Sequence, residues 1–196
     1  MIDPMELQRE FFEGLMAVDE AIVRRAAKEP CRDCGGRLHR GDYPRKPRAG
    51  GIFIVTEAFD RRFSLCCSRE GCRHRATPPS VRFLGRRVYL GAVVIVASAV
   101  MLATTAVGAA VAATGVPART TRRWRRWWRG SFTTSAPFVD LSARLVPSPE
   151  RSRLPVSLLE RFAGDAAERV AKLLTWLAPI STTSCPGGSR LLRGVM

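Results

Sequence analysis

Hydrophobic and polar positions divide the chain into segments of different character. Over residues 5–28, Leu7, Phe11, Leu15, Val18 and Ile22 recur at spacings of three and four with charges between them, a pattern that predicts an amphipathic helix stopped by Pro30 and packed on the domain behind it. Residues 31–79 change to loops, turn residues and short strand-like runs, with alternation over residues 51–56 and 61–67. Between Arg87 and Arg119 there is no charged residue at all. The next stretch, GVPARTTRRWRRWWRG over residues 115–130, again has a helical period. Further on, a proline-punctuated segment reads as an extended wrap over a neighbouring surface. Leu158, Leu159, Phe162, Ala166, Val170, Leu173, Leu174 and Leu177 then predict one or two amphipathic helices interrupted by Gly164. These helices suit packing against the rest of the chain or, alternatively, dimerisation. The tail from Ser181, which includes Cys185 and several glycines, reads as disordered.

The uncharged run over residues 88–116 supports two readings. It is long enough to cross a bilayer. Against this, it is built largely of alanine, valine, glycine and threonine with Leu90 and Leu102 as its leucines, and arginine at both ends supplies no orientation signal. Read as soluble structure, it divides into a buried helix over 88–101, a break over 103–105 with a threonine cap, and a short helix over 106–114. Gly115 and Val116 then turn into the arginine-rich helix.

In that helix Arg119, Arg122, Arg123 and Arg126 fall on one face, and Trp124, Trp127 and Trp128, with Thr120 or Thr121, fall on the other. Pro117 suits the first turn and Gly130 the position just past the end. Such a helix wants an apolar partner on one side and a polyanion on the other. Composition agrees: 32 Lys plus Arg against 17 Asp plus Glu give a formal net charge of +15, mostly from arginine, over 196 residues. The planar guanidinium fork favours phosphate and guanine edges, so double-stranded DNA is the expected partner.

Five of the six cysteines, Cys31, Cys34, Cys66, Cys67 and Cys72, lie in one segment, and Cys185 stands apart. The opening MIDPMELQREFFEGL carries acids where a secretory signal has a basic region and an apolar core, so a reducing cytoplasm with metal binding is expected rather than disulfides. Two hooks are visible. Cys31-Arg-Asp-Cys34-Gly35-Gly36 has the tight spacing that points two sulfurs at one ion, and Cys67-Ser-Arg-Glu-Gly-Cys72 has a longer gap. Strand alternation puts Phe63, Leu65 and Cys67 on one face and Cys66 on the other. The expected site is a structural zinc held by Cys31, Cys34, Cys67 and Cys72 in a zinc ribbon, with Cys66, His39 and His74 as rival ligands. Four protein ligands leave no open coordination position. Catalysis is not expected, because the chain has no glycine-rich phosphate loop and no paired carboxylates near a histidine.

Residues 109–124, AAVAATGVPARTTRRW, resemble the AxxxGVxxxTVxRW pattern of helix-turn-helix domains in bacterial transposases and their regulators. The order of zinc ribbon, PPSVRFLGRRVYL, long apolar helix and helix-turn-helix is similar to the amino-terminal DNA-binding half of zinc-ribbon insertion-sequence transposases, over roughly residues 31–130. Val111 stands where the family has its close-packing alanine, and Thr121 where it has an apolar valine. Such transposases continue into a ribonuclease-H-like domain with three metal-binding carboxylates, and the sparse acids after Gly130 do not supply one.

The resemblance implies a non-catalytic accessory or regulator of a mobile element, nucleoid-associated in the cytoplasm, with a homodimer or a separate transposase or recombinase as possible partners. Arg119, Arg122 and Arg123 would then face the groove floor and Arg125, Arg126 and Arg129 the backbone, with Thr120 also among the DNA-binding residues. The expected fold is mainly α with a small β zinc ribbon followed by a helix-turn-helix bundle. Its expected parts are an amino-terminal helix (1–30), the ribbon (31–80), the helix-turn-helix domain (81–130), carboxy-terminal wrap and helices (131–180), and the tail (181–196). The alternative is a membrane-anchored protein spanning at about 88–116.

Overall fold

The structure, a computed structural model, describes residue 7 and residues 9–49, 57–85, 88–104 and 106–182. The expected alternating stretch at 51–56 and the tail from residue 183, with Cys185, lie outside the described residues.

Helix α1 spans Arg9–Ala26 and buries Phe12, Leu15, Asp19, Ile22, Val23 and Ala26. Its inward face is turned slightly from the one expected, with Phe11 and Val18 only half-buried at its margins. The displacing residue is Asp19, a carboxylate that no hydrophobic pattern reports. Helix α1 also joins two cores. Leu7, Phe12 and Leu15 pack with the later helices, whereas Ile22, Val23 and Ala26 pack with Cys31, Leu38, Phe63, Leu65 and Cys67.

Five short strands follow: β1 (Leu38–Arg40), β2 (Tyr43–Pro44), β3 (Arg61–Arg62), β4 (Leu65–Cys67) and β5 (Arg75–Ala76). They form an antiparallel sheet in the order β1-β4-β5 and a separate β2-β3 pair. Leu38 lies opposite Cys67 and His39 opposite Cys66, so the pleat sends Leu65 and Cys67 inward and leaves Cys66 at the margin.

Residues 91–101 of the uncharged run are protein core, whereas much of the described part of 102–115 is exposed. Helix α2 (Gly91–Ala103) buries every residue from Gly91 to Met101, as a helix that is apolar all round must. No helix among the described residues is long and apolar enough to cross a membrane; at a rise of about 1.5 Å per residue, the thirteen residues of α2 reach about 20 Å. The chain breaks at Thr104, whose Oγ1 accepts from the Ala106 N–H at 3.2 Å. Helix α3 (Val107–Thr114) then ends at Gly115 in the left-handed region, φ +63°, where glycine carries no Cβ penalty.

Three residues, Gly115 to Pro117, connect α3 to helix α4 (Ala118–Arg129). Val116 is fully buried in that connection, and Thr114 Oγ1 accepts from its N–H at 3.3 Å. Pro117 caps α4 from just outside the helix rather than occupying its first turn.

The stretch after Gly130 is less extended than expected. It contains helix α5 (Ala136–Ser142), which sends Phe138 into the core, and a 3-10 turn at Arg151–Arg153. Helices α6 (Val156–Leu159) and α7 (Ala166–Leu177) follow. Gly164, at φ +116°, separates them, and Asp165 with Glu168 closes a capping box on α7. Helix α7 packs on α2 so closely that a Cβ on Gly91 would lie 2.6 Å from Leu174 Cδ2.

Disorder expected from Ser181 does not begin there. Ser181 Oγ accepts from the Ser80 N–H at 2.8 Å, and Thr182 Oγ1 donates to the Thr77 carbonyl at 2.5 Å.

Candidate metal centre and arginine helix

The first cysteine hook is closed by backbone. Cys31 N–H donates to the Gly36 carbonyl at 2.8 Å and Gly35 N–H to the Cys31 carbonyl at 2.7 Å, with Gly35 at φ +69°. The second hook uses Gly71 at φ +82° and Arg73 at φ +47° to fit its longer gap, and the Arg69 N–H donates to Cys67 Sγ at 3.4 Å. A bond across the hooks, Arg69 Nη1 to the Cys34 carbonyl at 3.0 Å, holds them in register.

The result is one cluster. Sulfurs of Cys31, Cys34, Cys67 and Cys72 all lie within 4.8 Å of one another, with Cys31–Cys72 at 3.8 Å and Cys34–Cys67 at 3.4 Å. A tetrahedral ion with metal–sulfur bonds of about 2.3 Å needs sulfurs about 3.8 Å apart, so these four thiols can hold a metal ion. They are not disulfide-bonded. This is the ligand set expected from spacing, uneven second hook included.

Protons are shared unequally among the thiols. The Gly36 N–H, helped by the neighbouring thiols, brings Cys34 down to about 7. At Cys72 the His74 N–H acts to lower the pKa, but Cys34, burial and the other thiols outweigh it and push it up to about 12. At Cys67 the Arg69 N–H is likewise outweighed, by burial and by the Cys34 and Cys31 thiols, and its pKa is raised. Crowding of the thiols thus favours the charged form at Cys34 and opposes it at Cys67 and Cys72. A cation in the centre of the cluster would remove that opposition and displace the remaining protons.

The rival ligands lie aside. Cys66 Sγ faces the Arg73 and Cys67 carbonyls at 3.6 and 3.7 Å. His39 is exposed on β1. His74 Nδ1 is 2.7 Å from Asp33 Oδ2, and its buried Nε2 has no hydrogen-bond partner.

Helix α4 has the two expected faces. Thr121, Trp124 and Trp128 are buried, and Arg119, Arg122, Arg123, Arg125, Arg126 and Arg129 are all exposed. Trp128 is wholly buried and donates from Nε1 to Ser98 Oγ on α2 at 3.1 Å. Trp124 meets Tyr89 edge-on, ring centres 5.0 Å apart. Trp127 is half-buried and packs against Trp128 and Phe132 at 4.7 and 5.0 Å. Thr120 is half-buried at the edge of the exposed face. None of the six arginines forms an ion pair with a described carboxylate.

Two features escaped sequence reasoning. One is the bond from Arg129 Nη2 to the Ser152 carbonyl at 2.8 Å, which ties α4 to the 3-10 turn. The other is a buried ion pair: Asp19 accepts from Arg82 Nε at 2.7 Å, from Ser80 Oγ at 2.5 Å and from the Val81 N–H at 2.8 Å. Neither has a periodic signal, because each joins residues far apart in the chain.

No family model matches the chain, and no curated protein or solved structure matches it. What the fold and site define is a mainly helical protein with a small antiparallel sheet and a cysteine cluster able to hold a metal ion.

Proposed function

We propose that the protein is a non-catalytic, zinc-containing DNA-binding protein, with α3 and α4 as a helix-turn-helix and α4 as the helix that enters the major groove. The observation that carries this reading is the division of α4. Six exposed arginines form no ion pair with a described carboxylate, while Thr121, Trp124 and Trp128 are committed to the core. A short helix anchored from behind, with an unneutralised cationic front, suits a polyanion, and the three-residue connection through Gly115 fits the turn that precedes a reading helix.

Burial of Trp124 and Trp128 also favours a duplex over a single strand as the partner. Stacking on single-stranded bases requires exposed aromatic faces, and Trp124 and Trp128 have none to offer. Duplex DNA is the better partner, with Arg119, Arg122 and Arg123 toward base edges and Arg125, Arg126 and Arg129 toward phosphates.

Zinc is the ion that a set of four cysteines suits best, and with every ligand supplied by the protein it would support the fold rather than activate water. An accessory or regulatory role in a mobile element agrees with the order of ribbon and reading helix.

A mobility-shift titration of a mixed-sequence duplex with the wild-type chain and with Arg122→Ala combined with Arg123→Ala tests the role of α4. Weakened binding in the folded double variant is expected. Unchanged affinity would remove α4 from the interface.

A further inference from the structure

The arginines of α4 are not evenly disposed about the exposed face. The buried Thr121, Trp124 and Trp128 set the inward direction, and at 3.6 residues per turn Arg119 and Arg126 point most directly away from it, while Arg125 and Arg129 lie to one side. On that side Arg122, Arg125, Arg126 and Arg129, with Gly130, line a shallow hollow of about 600 Å³.

Next to α4 lies the 3-10 turn Arg151–Arg153, tied to it by the bond from Arg129 to the Ser152 carbonyl. Within this turn Arg153 is engaged by Glu160 at 2.6 Å and Glu150 at 3.9 Å. Arg151 is exposed and forms no ion pair with a described carboxylate.

Like charges three and four residues apart destabilise a helix, so four unneutralised guanidinium groups around one hollow are a cost that a bound anion would offset. The spacing suits a chain of anions. Arg125 and Arg129 are about 6 Å apart along the helix axis, close to two of the steps of about 3.4 Å by which phosphates of one DNA strand advance along the duplex axis.

The geometry points to this hollow as a phosphate seat: one strand's sugar–phosphate backbone runs along the Arg125–Arg129 flank of α4 and continues to Arg151 on the neighbouring turn. This inference rests on the reading of α4 as a DNA-binding helix. It adds a side to that reading, and it brings the carboxy-terminal segment into the interface.

The test is the salt dependence of duplex affinity for the full chain and two double variants, Arg125→Ala with Arg129→Ala and Arg125→Ala with Arg151→Ala. The second pair leaves the Arg129–Ser152 bond intact and so guards against a loss caused by misfolding. Each double variant is expected to flatten the slope of log K against log salt by about 1.8, two phosphate contacts at about 0.9 each, and to weaken all duplex sequences alike. A wild-type slope in both folded variants, with duplex binding retained, would overturn the phosphate seat and leave the DNA-binding reading standing. If the wild-type chain binds anionic lipid vesicles and no duplex, both fail.

Discussion

Cys34 and Cys67 depend on a residue with no side chain. A Cβ on Gly36 would lie 3.0 Å from Cys67 Sγ and 3.2 Å from Cys34 Sγ, so any side chain there would press on both sulfurs. Gly36→Ala is expected to displace one sulfur and lower metal affinity by about 10-fold or more, comparable to the loss of a group supporting a ligand. Competition with a chromophoric chelator measures this, and Cys66→Ser, whose thiol faces backbone carbonyls, should leave the affinity unchanged. At this scale the sequence was informative. Cysteine spacing and strand alternation pointed to Cys31, Cys34, Cys67 and Cys72 but left Cys66, His39 and His74 as rivals, and it is the packing that keeps Cys66 out of the cluster. They could not reveal the unequal sharing of protons, which depends on the N–H groups of Gly36, Arg69 and His74.

Among the elements, α2 and α4 decide the architecture of the helical half. Their joint includes a buried polar contact: Ser98 Oγ donates to the Val94 carbonyl at 2.6 Å and accepts from Trp128 Nε1. Ser98→Ala would leave the buried indole N–H without a partner at a cost of about 1–3 kcal/mol, read as a thermal midpoint lowered by several degrees. Trp128→Ala would cost more, about 3–5 kcal/mol, because it also opens a cavity. Helix α4 was legible in advance from its i, i+3, i+4 arginine series, and the break at Thr104 from two threonines in an apolar run. Helix α5 was not, since its seven residues are too few to show a period and its place is set by Phe138 packing on Phe132, 4.9 Å between ring centres. The inward rotation of α1 was hidden for a different reason: Asp19 counts as polar in any pattern, yet it is 2 % exposed.

For the whole molecule, that carboxylate links the cysteine-bearing half to the helical half. Asp19 on α1 meets Arg82, which is fully buried, donates from Nη2 to the Arg61 carbonyl at 3.0 Å and lies 4.4 Å from the Phe63 ring centre. Asp19→Asn would leave the Arg82 charge buried without its counter-ion, a loss of about 3–5 kcal/mol, expected as cooperative destabilisation of both halves in a denaturant melt followed by far-ultraviolet and tryptophan signals. A second link runs from the basic loop after β2. Arg48 exchanges backbone hydrogen bonds with Val88 and Leu90 at 2.6 and 3.1 Å, beside Tyr89, whose ring meets Trp124. The arginine helix is therefore braced by the segment that leads out of the cysteine module. The measurement that tests the central claim most directly is the affinity of the full chain for duplex DNA across a salt series. With four or more of the α4 arginines neutralising phosphates, log K should fall against log salt with a slope of about −3.5 or steeper. Absence of duplex binding, or an affinity indifferent to salt, would contradict it.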